Sequence, residues 1–428
     1  QRQDSCRSED RGLVFEVYIH VPFCLRRCGY CDFNTYTATD LGAGASRGNY
    51  ANMVIREMKL TKQWQLDHGI AEPPVSTVFF GGGTPTILAA RDLVAMLDAI
   101  RKIWGIAPDA EITTEANPDT VNEYYINELA AGGFTRVSFG MQSAVPHVLK
   151  TLDRTHTPAS VDLIYGAPGE SLDDWRTSVT TAIDLGVNHI SAYALTVEPT
   201  TKMGRQIAAG TLPKPNDDDE AAKYEIADDL FAAAGLEWYE VSNWARPGYE
   251  SQHNLGYWRN VDWAGLGPGA HSHYNAVTEA DHPQSASLTA PAGGGCPADA
   301  GLGVVSVSHG LRSWDIAHPR LWGTAINENR VPWADSETIT PEENLEELIM
   351  LGLRLHEGLD LDRINRAIND AGMSSTPQTL RTVSVDQLAP MISEGLITVS
   401  DNHRVVPTRR GRLLNDSVIE QFFDFVGV

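Results

Sequence analysis

Cysteine is scarce in this chain of 428 residues, and positive charge is scarcer than negative, with 33 Lys and Arg against 56 Asp and Glu. The resulting net charge of −23 repels phosphate backbones and anionic lipid, which weighs against nucleic acid or a membrane surface as the main partner. No apolar run of about 18 residues occurs, so no membrane span is expected. The opening stretch QRQDSCRSED lacks the apolar core of a signal peptide and lacks Met, and reads as a trimmed or incomplete terminus. Of the five cysteines, Cys24, Cys28 and Cys31 cluster while Cys6 and Cys296 stand alone, which is no disulfide framework. A reducing cytoplasm and a metal site are the expectation.

What the sequence does contain is a repeated theme: a short β-branched or apolar run, a Gly/Pro/polar break, then a helical pattern. The runs are 16–23, 75–83, 111–118, 136–143, 160–168 and 189–197. Helical stretches at 50–66, 90–104 and 171–186 fall between them, the last marked by a capping box (Ser171, Asp174) and a terminating Gly186. Six strands alternating with helices predict a parallel sheet with right-handed crossovers and ligand chemistry at the strands' C-terminal ends. One connection is too short. After the helical stretch 145–154 only about six residues return the chain to the next parallel strand, and such crossovers need a dozen or more. The expectation is that the chain is incomplete near 155–161.

Three regions are expected: a barrel over 1–215, a barrel-associated extension over 216–339, and a small winged-helix-like α+β domain over 340–428. The Ala/Gly/Ser/Pro-rich stretch 276–310 reads as a flexible insertion. Residues 341–428 hold 14 Asp and Glu against 8 Arg, so DNA binding is disfavoured there despite the local RRGR at 409–412.

The segment CLRRCGYC (24–31) supplies three thiols, one fewer than a closed structural metal site takes. Zinc could borrow His20, but structural zinc sites favour two ligand pairs distant in sequence. Thiolates equally suit an iron–sulfur cluster, where three of them leave one iron open to a ligand. The spacing C-x3-C-x2-C with Tyr30 before the last cysteine resembles that of the radical S-adenosylmethionine enzymes. FFGGGTP (79–85) is similar to their glycine motif for the amino group of S-adenosylmethionine. YIHVPFCLRRCGYCDFNTY, TTEANPDTV, RVSFGMQS, LDRTH, VDLIYGAPGES and SAYALTVEPTT extend the likeness to the oxygen-independent coproporphyrinogen III oxidase family.

That resemblance implies a partial (β/α)6 barrel with a [4Fe–4S] cluster on Cys24, Cys28 and Cys31. It places Tyr18 and Tyr30 beside the cofactor. It also gives Gly82, Gly83, Thr84, Glu115, Gln142, Arg154, Asp162 and Thr196 as contacts of S-adenosylmethionine. Two departures from the oxidases, Phe33 where they resemble a fourth cysteine and only about 15 residues before the first strand, point to the family's heme-chaperone branch. QHNLGYW (252–258) resembles that branch's H-N-x-x-x-Y motif. It offers His253 and Tyr257 as heme ligands on one helix face, with His271 and His273 as weaker second ligands. The function so implied is delivery of heme to acceptor proteins, respiratory ones and a homodimer being open options. Radical decarboxylation of coproporphyrinogen propionates is the alternative.

Overall fold

The structure, a computed structural model, describes residues 14–151, 162–278, 308–370 and 382–427. Arg154, Cys6, Cys296 and the short crossover at 155–161 lie outside them.

Six parallel strands form in the expected places: β1 (Phe15–Val21), β2 (Val75–Gly82), β3 (Ile106–Ala116), β4 (Arg136–Gln142), β5 (Asp162–Tyr165) and β6 (His189–Ala194). They pair in sequence order, β1-β2-β3-β4-β5-β6. Side-chain parity sorts their residues into two layers. In β1, Phe15, Val17, Ile19 and Val21 have no exposed surface and pack under the helices Tyr50–Asp67 and Ala90–Ile103. Glu16, Tyr18 and His20 alternate with them and face the barrel's interior, in register with Thr77, Phe79 and Gly81 of β2. The helix Leu172–Asp184 starts at the expected capping box: Asp174 N–H donates to Ser171 Oγ (3.2 Å) and Ser171 N–H to Asp174 (2.9 Å).

The sheet does not stop at the six strands. On the β6 side it continues into the antiparallel pair β8 (Asn243–Ala245) and β7 (Glu237–Glu240). On the β1 side β9 (Asp262–Leu266) pairs parallel, followed by antiparallel β10 (His271–Thr278), β11 (Ser308–Asp315) and β12 (Trp333–Ile339). The ends of the expected flexible insertion, 276–278 and 308–310, are therefore paired strand; the interval 279–307 lies outside the described residues.

The helix Pro341–Gly352 opens the C-terminal region with its own capping box, Thr340 with Glu343. A second sheet of β13 (Leu359–Asp360), β15 (Arg404–Pro407) and β14 (Ile397–Val399) follows, with a separate core that includes Leu345, Ile364, Val405 and Phe422. The basic spot in this region is used internally. Arg412 forms a bidentate pair with Asp228 of the helix Asp217–Ala233 (3.2 and 2.9 Å) and lies 4.3 Å over the Trp238 ring. Arg409 pairs with Asp229 at 2.7 Å, and Arg410 donates to the Glu394 carbonyl.

Candidate cofactor site

The loop after β1 carries the three cysteines to the C-terminal mouth of the barrel. Cys24 is buried, Cys28 and Cys31 half-buried, and all three are free thiols. Burial raises the pKa of Cys24 and of Cys31, and each also feels the Cys28 sulfur. The loop is fixed from several directions. Cys24 N–H donates to the Tyr36 carbonyl (2.9 Å) and Arg47 donates to the Cys24 carbonyl (3.0 Å). The glycine segment after β2 folds back onto it: Gly83 N–H donates to Val21 O and Thr84 N–H to Phe23 O, both at 2.8 Å, and Thr84 Oγ1 lies 3.9 Å from Cys24 Sγ. A Cβ on Gly83 would stand 2.6 Å from the Phe23 carbonyl oxygen, and one on Gly82, whose φ is +102°, would stand 2.6 Å from the His20 ring. Both positions therefore require glycine.

His20, the residue zinc could have borrowed, is committed elsewhere. It is buried, with Nδ1 3.1 Å from Tyr18 Oη and Nε2 3.0 Å from the Asn34 carbonyl. Among the described residues no three His, Cys, Asp or Glu side chains are gathered to hold a single metal ion.

Below the loop, Glu115, Ser138, Asp162, Ser191 and Tyr193 line a lumen cavity of about 50 Å³, enough for a few waters or one small charged group. Ser138 Oγ donates to both oxygens of Asp162 (3.1 and 2.9 Å), and Glu115 accepts from Gly82 N–H (3.2 Å). Burial, reinforced by the charge of Asp162, pushes Glu115 up to about 8. Burial raises Asp162 as well, against hydrogen bonds from Ser191 and Ser138. Arg136 also lines this cavity and its charge lowers Asp162, while its Nη1 donates to the Tyr249 carbonyl (3.0 Å) and lies 3.6 Å from Glu111. Gln142 ends β4 with φ +62°, a left-handed conformation that is costly outside glycine and clusters at ligand sites. Tyr30 packs with Val148, Ala167 and Met203 on the mouth side, while Thr196 follows β6 and is exposed. Thus Tyr30, Gly82, Gly83, Thr84 and Gln142 come together at the mouth, Glu115 and Asp162 line the lumen beneath it, and Tyr18 lies in the same interior layer with its ring 6.5 Å from that of His253. Ser138, Ser191 and Tyr193 join them and went unnoticed in the sequence, although each shares inward parity with a noticed neighbour.

His253 and Tyr257 do not join that end. The helix Gln252–Trp258 closes the opposite, N-terminal end, its first turn capped by Glu111, which accepts from Ser251 Oγ (3.3 Å) and from the N–H groups of Gln252 (3.2 Å) and His253 (3.4 Å). His253 enters the interior layer with 1% of its surface exposed; Nδ1 lies 2.6 Å from Thr77 Oγ1 and 3.3 Å from Glu16. Its ring stacks on Phe79 at 5.0 Å and meets Tyr257 edge-on at 4.9 Å. Burial lowers His253 to about 3, and burial raises Glu16 well above its ordinary value. The two motif residues do share a helix face, and that face is the barrel floor. Of the second-ligand options, His273 is buried, stacks on Trp263 and contacts the Val261 carbonyl, and His271 packs beside Trp314. His253→Ala should cost about 2–4 kcal/mol, from the cavity it leaves and the stranded Glu16 and Thr77. Its thermal unfolding should show this, and a Soret band of added hemin that keeps its place in the folded fraction would mark the residue as structural. A shifted Soret band at unchanged stability would make His253 a ligand instead.

The fold and its three-thiol mouth are those of a radical S-adenosylmethionine protein: residues 18–189 match the Radical SAM superfamily, and 339–414 match the HemN C-terminal domain. A Mycobacterium tuberculosis protein (strain CDC 1551 / Oshkosh) named heme chaperone HemW is 39% identical over 425 residues, covering 95% of this chain and 94% of that one. A Bacillus subtilis (strain 168) protein of the same name is 30% identical and covers 95% and 98%. The chain belongs to the heme chaperone HemW family. The solved coproporphyrinogen III oxidase HemN of Escherichia coli shares its fold, with a TM-score of 0.69 over 96% of this chain and 90% of that one at 18% identity.

Membership of the superfamily implies a [4Fe–4S] cluster and S-adenosylmethionine. The residues present fit both. Thr35 has a buried hydroxyl without an ordinary hydrogen-bond partner, set between the Cys24 and Cys31 thiols, the kind of group that could serve cluster-bound thiolates. The lumen carries two carboxyl groups beside a single guanidinium, Arg136, and S-adenosylmethionine brings an ammonium and a sulfonium. No described helix is long and apolar enough to cross a membrane.

Proposed function

We propose that this protein binds heme and passes it to acceptor proteins, with a [4Fe–4S] cluster on Cys24, Cys28 and Cys31 and S-adenosylmethionine beside it. The observation that carries the reading is a three-thiol loop set over a carboxylate-lined lumen, in a chain aligned over 95% of its length with a relative named a heme chaperone. When bound, such a cluster supplies the electron for reductive cleavage of S-adenosylmethionine. The chain's own residues do the holding. Gly82 and Gly83 bring backbone up to the thiol loop where no side chain fits. Glu115 and Asp162 offer two carboxyl groups to a cationic ligand group, Glu115 on losing its proton, and Ser138 and Ser191 orient Asp162. Arg154 remains a proposed partner for the ligand's carboxylate. Phe33, 59% exposed, leaves that side of the loop apolar where the resemblance would give an oxidase a thiol.

One sample tests this. Anaerobically reconstituted protein should bind hemin stoichiometrically, with a defined Soret band. With reductant and S-adenosylmethionine it should release no carbon dioxide from coproporphyrinogen III. Stoichiometric decarboxylation would install the oxidase reading in its place.

A further inference from the structure

The segment that follows the third cysteine, DFNTY (32–36), turns back alongside the residues that enter the loop. Tyr36 N–H donates to the Pro22 carbonyl at 2.7 Å, and the Tyr36 carbonyl accepts from Cys24 N–H at 2.9 Å. Asn34 holds the other side of the turn. Its Nδ2 donates to the Pro268 carbonyl (2.8 Å) and the Ala317 carbonyl (2.7 Å), and its own carbonyl lies 3.0 Å from His20 Nε2. Thr35 stands between these two anchored residues and is 5% exposed. Its backbone is fixed on both sides, and as a β-branched residue it has few rotamers to choose among.

A buried hydroxyl ordinarily finds a partner, because an unmade donor in the interior is costly. Thr35 Oγ1 has no ordinary partner among the described residues. The acceptors it faces are the Cys24 and Cys31 sulfurs. A thiol accepts weakly and a thiolate strongly. The hydroxyl is therefore poorly served by the two free thiols and well served once both sulfurs carry negative charge as ligands. Two more donors point at the same pair: Thr84 Oγ1 lies 3.9 Å from Cys24 Sγ, and Phe33 N–H serves Cys31. Each of these reaches one sulfur, whereas Thr35 reaches both.

We propose that Thr35 sets the reduction potential of the bound cluster by donating its hydroxyl hydrogen to the thiolate pair Cys24 and Cys31. The inference rests on the cluster assignment made above and adds the side chain that governs the cluster's electron affinity. The step concerned moves a single electron: a low-potential one-electron donor reduces [4Fe–4S]2+ to [4Fe–4S]+, and no bond or proton changes place. The added charge spreads onto the ligating sulfurs. A hydrogen bond to them favours the reduced state over the oxidised one and raises the potential. The chain's net charge of −23 and the buried setting oppose the extra electron, and the hydroxyl offsets part of that.

The test titrates anaerobically reconstituted full-length protein with dithionite, without S-adenosylmethionine, and follows the electron paramagnetic resonance signal of the reduced cluster. At the unaltered protein's midpoint potential, Thr35→Val should hold about tenfold less reduced cluster relative to oxidised, a shift of about 59 mV to more negative potential for a one-electron couple. Thr35→Ser keeps the hydroxyl and should match the unaltered ratio. Cluster-free Thr35→Val should melt no lower than the unaltered cluster-free protein, because the hydroxyl it loses strands no ordinary partner. An unchanged midpoint in Thr35→Val would overturn the inference while leaving the cluster in place. A cluster-free variant that melts lower would also overturn it, since the hydroxyl would then serve the protein. So would a Thr35→Val protein that takes up no cluster, where the role is assembly and not potential. Failure of the unaltered protein to assemble a [4Fe–4S] cluster would remove the cluster reading and this inference together.

Discussion

Replacing any one of Cys24, Cys28 or Cys31 with alanine should abolish the reconstituted iron–sulfur cluster, not merely weaken it. A cluster held by three thiolates already has one iron without a protein ligand, and removing another thiolate leaves two attachment points. Among the described residues the two evident substitutes are unavailable. His20 is held through both ring nitrogens, by Tyr18 and by the Asn34 carbonyl, and Phe33 occupies the other position on the loop where the resemblance to oxidases would have placed sulfur. Iron and acid-labile sulfide should fall from about four each per chain to background in each single variant, with the visible absorption lost. Cys6→Ala and Cys296→Ala should retain both. The fold should survive, since Cys28 and Cys31 are only half-buried and the loop is anchored through backbone groups at Cys24, Val21 and Phe23. Stoichiometric zinc and no iron in anaerobically prepared protein would refute the assignment.

Much of this site could be read in the sequence because its parts obey local rules. A β-branched run ending in glycine or proline marks a strand end, and strand ends are where parallel α/β sheets place ligands. Ser171 and Asp174 announce a helix start by their spacing alone, and the structure has both hydrogen bonds. The heme motif shows where such reading stops. A four-residue spacing fixes that His253 and Tyr257 share a face but not what the face meets. Here it meets Glu16, Thr77 and Phe79, residues between 170 and 240 positions away. Gly256, between the two, is where Glu16 presses, since a Cβ there would overlap its carboxylate, and only the folded barrel reveals that neighbour. The sheet's extension is hidden for a different reason. β7 and β8 are four and three residues long, too short to show a period of two.

The affinity for S-adenosylmethionine should depend on pH through Glu115, and by a large factor. This carboxyl is pushed up to about 8, first by burial and then by the charge of Asp162, against the single hydrogen bond from Gly82 N–H. At pH 7 it is therefore mostly protonated in the free protein. A ligand that brings positive charge into the lumen favours the carboxylate, so below pH 8 binding must first expel a proton. That costs about tenfold in affinity per pH unit. The sign follows directly: binding tightens as pH rises through about 8 and levels off above it. Glu115→Gln has no proton to lose and resembles the protonated form. Its dissociation constant should nearly equal that of the unaltered protein at pH 6 and exceed it by roughly 30- to 100-fold at pH 9, the scale of losing one buried charge-assisted contact. The ligand's own titration is common to both proteins and cancels in this ratio. Equilibrium dialysis of the anaerobically reconstituted pair at pH 6, 7, 8 and 9 measures it. A ratio that stays constant across that range would show that Glu115 does not face the charged part of the ligand, leaving Asp162 as the carboxylate to test by the same comparison.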